Sequence, residues 1–142
     1  MNVLLVEDER SIAVTLGDAL AAARHKVRVT GDGTEALAVL ERETFDCVVT
    51  DVRLPGADGM EILRRAREAP DPPDVVVMTG FATIEHAVAA MRAGAFSYLQ
   101  KPFVNEAVVE LLAQIEKVRS MRGELRSLAS AIGSVVRGRR IS

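Results

Sequence analysis

Five short apolar runs punctuate the chain at regular intervals: Val3-Leu4-Leu5-Val6, Val27-Arg28-Val29, Cys47-Val48-Val49, Val75-Val76-Val77-Met78 and Phe96-Ser97-Tyr98-Leu99. Each is mostly β-branched or apolar and bounded by polar, glycine or proline residues, the signature of a strand. Between them apolar residues recur at spacings of three and four, as in Ile12, Leu16, Ala19, Leu20 and Ala23, or Ile84, Ala87, Val88 and Met91, which predicts helices. Start signals agree. Asp32 precedes Glu35, and Asp58 precedes Glu61, by the three residues of a capping box; Thr83 can cap the fourth helix and Gly94 can end it. Strand and helix alternating five times predict an α/β fold, a doubly wound, mainly parallel sheet covered on both faces. In such sheets ligands bind beyond the carboxyl ends of the strands.

Those ends carry a coherent set of groups. Glu7 and Asp8 follow the first strand, Asp51 the third, Thr79 the fourth and Lys101 the fifth. Taken singly, each reads as a cap, a turn residue or a solvated charge. Lys101 in particular is expected to be an exposed cation that contributes little to stability. Taken together, they describe one site: crowded carboxylates that share a proton or a divalent cation, facing a hydroxyl and an ammonium suited to an anion. An oxygen-only site of this kind suits Mg²⁺.

Charge and composition narrow the class. The 142 residues are 49% hydrophobic and 27% charged, which is enough to build a core. No apolar run approaches the ~20 residues of a membrane span, and no secretory leader is visible, so a cytoplasmic location is expected. Cys47 is expected to be a buried core thiol, and His25 and His86 to be solvated. No G-x-x-x-x-G-K-[ST] run is present, and neither histidine follows a strand, which argues against a P-loop and against a histidine-assisted hydrolase. The net charge of −2 conceals a break: residues 1–116 balance to −8 and residues 117–142 to +6. Without interleaved aromatics or a helix-turn-helix pattern, the basic tail is not expected to contact DNA directly.

LLVEDE at 4–9, VVTDVRLPGADGMEIL at 48–63 and VVVMTGFATIEHAVAAMRAGAFSYLQKPF at 75–103 together resemble the receiver domain of two-component response regulators. The last motif is most similar to receivers of the NtrC type, which work with an alternative sigma factor. The resemblance covers about residues 1–118 and implies a CheY-like sheet of order 2-1-3-4-5. It implies that Asp51 accepts a phosphoryl group from a sensor histidine kinase, that Glu7, Asp8, Asp51 and the backbone carbonyl of Arg53 hold Mg²⁺, and that Lys101 pairs with the phosphoryl oxygens, across a cis peptide to Pro102. It implies also that Thr79 and Tyr98 switch together. Such a protein is a phosphoacceptor rather than a turnover enzyme, and its output is transcriptional regulation. Two other readings remain at this point, a small Mg²⁺-dependent phosphatase and a phosphorylation-independent interaction module.

Residues 119–142 are expected to form a helical linker and basic tail. Val118, Met121, Leu125, Leu128, Ile132 and Val135 are spaced 3, 4, 3, 4 and 3, a heptad seam that predicts a helical homodimer contact. Gly123 and Gly133 each cost about 1 kcal/mol in such a helix. In the resembled subfamily, ATPase and DNA-binding domains would follow; neither is part of this sequence.

Overall fold

The computed structural model describes residues 1–81 and 83–141, with side chains through residue 133. Five strands, β1 (Asn2–Val6), β2 (Lys26–Thr30), β3 (Cys47–Asp51), β4 (Asp74–Thr79) and β5 (Ser97–Gln100), alternate with helices α1 (Arg10–Ala22), α2 (Gly33–Arg42), α3 (Gly59–Arg67), α4 (Ile84–Arg92) and α5 (Asn105–Ile141). The sheet is parallel throughout, in the order β2-β1-β3-β4-β5. β5 begins one residue later than its apolar run; the Phe96 N–H still donates to the Val75 carbonyl of β4 and its side chain packs in the core with α1 and α5.

Strand side chains alternate between two faces, and both are dry. Val3, Leu5, Cys47, Val49, Val76 and Met78 pack under α1 and α5 with Leu16, Leu20, Val108, Leu112 and Ile115. Leu4, Val6, Val48, Val75 and Val77 pack under α2, α3 and α4 with Val39, Ile62, Leu63 and Ala90. Burial on both faces is why β1, β3 and β4 read as unbroken apolar runs. Cys47 is fully buried, as expected.

The caps form where the spacing placed them. The Asp32 carboxylate accepts from the N–H groups of Thr34 and Glu35, Asp58 accepts from Glu61, and the Thr83 hydroxyl accepts from His86. Each such cap is worth about 1 kcal/mol. Gly94 takes φ +100° just past α4, the left-handed turn that stops the helix.

The expected solvation of His25 is corrected, and the face of the fourth predicted helix is located. His25 is buried rather than solvated, its Nδ1 3.2 Å from the terminal amine of Met1; burial and that ammonium lower its pKa and keep it neutral. The Ile84, Val88 and Met91 stripe of α4 is exposed, Ile84 at 81%, while the small Ala90 makes the contact with the sheet. His86 is exposed. Among the described residues no helix is long and apolar enough to cross a membrane.

Candidate phosphoryl and cation site

β1, β3 and β5 deliver the charged residues to one rim. Val6 pairs with Thr50, so the chains leave the sheet side by side as Glu7 and Asp51. The Glu7 N–H holds the Thr30 carbonyl of β2 and the Lys101 N–H holds the Thr79 carbonyl of β4, extending the ladder one residue beyond each strand. The Lys101–Pro102 peptide is cis, as the resemblance implies. The turn after β3 is equally constrained. Gly59 donates to the Val52 carbonyl, and a Cβ at Gly59 would overlap the carbonyl of Asp51, so only glycine lets α3 start this close to the acid. Gly56, at φ +78°, makes the preceding bend.

Lys101 Nζ donates to Glu7 Oε1 at 2.5 Å and to Asp51 Oδ2 at 2.8 Å. The other Asp51 oxygen accepts from the Arg53 N–H at 3.4 Å. One oxygen from each of Glu7, Asp8 and Asp51 lies within 4.8 Å of the others; Glu7 and Asp51 are buried and Asp8 is exposed. Thr79, also buried, accepts the Phe81 N–H at 3.0 Å, leaving its hydroxyl proton free to donate. The Arg53 guanidinium stacks 3.8 Å over the Phe81 ring, placing a cation and an aromatic at the mouth of the site. Tyr98 packs on the α2/α3/α4 side of the core with its hydroxyl buried and, among the described residues, unpartnered.

The electrostatics follow from burial. Desolvation, reinforced by the charge of Asp51 and only partly opposed by the Lys101 hydrogen bond, pushes Glu7 up to about 7. Burial alone would lower Lys101, yet its hydrogen bonds to Asp51 and Glu7 outweigh that and hold the ammonium above its ordinary value. The expectation of a free surface cation at Lys101 is therefore overturned: its side chain is only 17% exposed and ties two acids together. One ammonium faces three carboxylates. That deficit of positive charge, with oxygen donors only, fits a hard divalent cation.

Proximity thus assembles Glu7, Asp8, Asp51 and Lys101, with Thr79 at the end of the neighbouring strand. The strand-end rule found these residues; it gave no hint of the Arg53 and Phe81 stack, which depends on two loops meeting.

The family described as response regulator receiver domain matches residues 3–113. Response regulator protein FleR of Pseudomonas aeruginosa is 40% identical over 113 residues, covering 80% of this chain and 24% of that protein. Response regulator MprA of Mycobacterium leprae is 37% identical over 115 residues, covering 81% and 49% respectively. A CheY-like receiver domain protein from Methanospirillum hungatei JF-1 superposes with a TM-score of 0.78 at 28% identity, over 87% of this chain and 97% of that one. The chain spans about a quarter to a half of the length of these curated relatives.

Proposed function

The chain belongs to the response regulator receiver family, and on that premise we propose that its strand-end cluster is a phosphorylation switch with Asp51 as acceptor. The observation that carries this reading is the Lys101 bridge between Glu7 and Asp51. An Asp51 oxygen attacks the phosphorus of a phosphohistidine on a sensor histidine kinase; the P–O bond forms as the P–N bond breaks, and the departing imidazole nitrogen takes up a proton. Lys101 moves from the carboxylate to the phosphoryl oxygens, and the Thr79 hydroxyl donates to another. Most of the barrier is removed by such alignment and charge neutralisation. Glu7, Asp8, Asp51 and the Arg53 carbonyl would hold Mg²⁺, which when bound neutralises charge on the transferring group. Acetyl phosphate with Mg²⁺ should add one stable phosphoryl group per chain by intact mass; catalytic release of phosphate would favour the phosphatase reading instead.

Glu7 makes this site sensitive to pH. A carboxyl held near 7 in the fold and near 4.5 in the unfolded chain supports stability at low pH and loses that contribution as pH rises through about 7. A cation that requires the carboxylate should therefore raise the melting temperature strongly at about pH 8 and weakly at about pH 5.5. Equal gains from MgCl₂ at both values would remove Glu7 from the ligand set.

The output side of the proposal is the face of α4, β5 and α5, where Tyr98 and the exposed Ile84, Val88 and Met91 lie, in a transcriptional regulator of the cytoplasm whose ATPase and DNA-binding parts would lie outside this chain. The NtrC-type assignment rests on the wording of the 75–103 motif. The receiver unit is assigned to residues 1–118 and the linker to 119–142. Met121, Leu125, Leu128 and Ile132 are each more than half exposed along the extended α5, and Val118 is half-buried at the root of this seam; Val135 lies beyond the described side chains. We propose that these residues pair with a second copy, since a coiled-coil seam gains its stability only when covered. Leu125→Glu with Leu128→Glu should give a monomer in sedimentation at micromolar concentration; an unchanged mass would reject the seam.

A further inference from the structure

The face of α5 that packs on the sheet continues past the sheet in a different chemistry. Val108, Leu112 and Ile115 are fully buried, and the same spacing of four and three carries on to Arg119, Arg122 and Arg126. Two of these arginines converge on Asp74, the first residue of β4, whose side chain is 5% exposed. Asp74 Oδ2 accepts from Arg119 Nη1 at 3.2 Å, and Arg122 Nη1 donates to Oδ2 at 2.9 Å and Oδ1 at 3.2 Å. Arg119 also reaches the Pro72 carbonyl at 3.4 Å and lies 3.6 Å from Asp46. Beside them the Arg67 guanidinium holds the Pro73 carbonyl at 3.1 Å, and Pro70, Asp71 and Pro72 close a wall of a cavity of about 340 Å³.

Beyond Arg122 the helix is exposed from residue 123 to residue 132, so among the described residues this cluster is the last place where α5 is tied to the domain. We propose that Asp74, Arg119 and Arg122 form an anchor that aims the C-terminal half of α5 and thereby presents its apolar seam to a second copy of the chain. This rests on the dimer reading above and adds what sets the geometry of that dimer. The seam residues Val118, Met121 and Leu125 each precede an arginine of the inner stripe by one position, a rotation of about 100° on a helix. Turning the arginines in to Asp74 therefore turns the seam away from the sheet. Two guanidiniums one turn apart on a single carboxylate, one of them also reaching the Pro72 carbonyl and Asp46, constrain both rotation and tilt, and each keeps its charge at any working pH.

The lever arm makes the anchor matter. Ile132 lies ten residues past Arg122, about 15 Å along the axis. A tilt of about 20° at the anchor would displace it by about 5 Å, a large fraction of the 8–10 Å between packed helices. The seam alone could not correct such an error in each of two chains.

The test separates anchor from seam. In the full chain carrying Leu125→Glu and Leu128→Glu, nitroxide labels at Asp18→Cys and Ser127→Cys report the angle of α5 within one molecule; Cys47 is buried and its thiol pKa is raised by that burial, so it stays unlabelled. With the anchor intact a single narrow distance is expected, and Asp74→Asn should broaden it. Arg122→Gln, which leaves Arg119 on the carboxylate, should do the same, and provides the measurement if the first variant fails to fold. In the chain with an intact seam, either change should weaken dimerisation at least tenfold. A narrow distance surviving in both variants would overturn the anchor whatever the oligomeric state. Broadening in both, in a protein whose mass the leucine changes do not alter, would support the anchor and remove the dimer reading alone.

Discussion

Asp51→Asn is expected to abolish phosphoryl uptake from acetyl phosphate while leaving the protein folded. An amide of the same shape keeps one acceptor oxygen for Lys101 and gives up only the long 3.4 Å contact with the Arg53 N–H, so the turn held by Gly59 need not move. It has no anionic oxygen to attack phosphorus and no anhydride to form, so the loss should be complete rather than graded. The same change removes one of the charges that raise Glu7. The variant should therefore melt at or above the temperature of the parent at about pH 8, where crowding of ionised carboxylates costs most. Intact mass after acetyl phosphate treatment reads the first effect and thermal unfolding the second. A phosphoryl group that persists in the variant would place the acceptor elsewhere.

Lys101→Ala carries the other large effect, and it concerns the fold as well as signalling. The ammonium is the counter-charge shared by two buried acids, and removing one partner from such an arrangement leaves the rest uncompensated. The cost should be about 3 kcal/mol near pH 8. It should shrink towards low pH, because Glu7 without Lys101 holds its proton still more tightly and the neutral acid needs no partner. Mg²⁺ should restore much of the loss by supplying positive charge in place of the ammonium. Chemical denaturation at two pH values, with and without MgCl₂, measures all three. A variant as stable as the parent at high pH would show that the bridge contributes nothing to the fold.

The layered architecture was legible because its causes are local. Apolar runs bounded by breakers gave the strands, and Asp32, Asp58 and Thr83 announced helix starts that the structure repeats atom for atom. The gathering of Glu7, Asp8, Asp51 and Lys101 followed from a rule of topology, since parallel strands deliver their ends to one rim. Other patterns left the surroundings of a residue open. Ile84, Val88 and Met91 have the period of a buried face, but α4 meets the sheet through Ala90, and periodicity says that a face is apolar, not that it is covered. His25 looked like a surface residue because nothing near it in sequence shows that the amino terminus folds over it.

The chain's own order of residues settled the α/β alternation, the caps and the chemical type of each strand-end group, because period, capping and turn preference act over a few neighbouring positions. The state of those groups was settled by folding. Lys101 and Glu7 are 94 positions apart, and Asp74 and Arg122 are 48 apart. Desolvation and Coulomb attraction depend on distance through space and on the water excluded along the way. The raised pKa of Glu7, the buried bridge of Lys101 and the direction of the long helix therefore exist only once the sheet has closed.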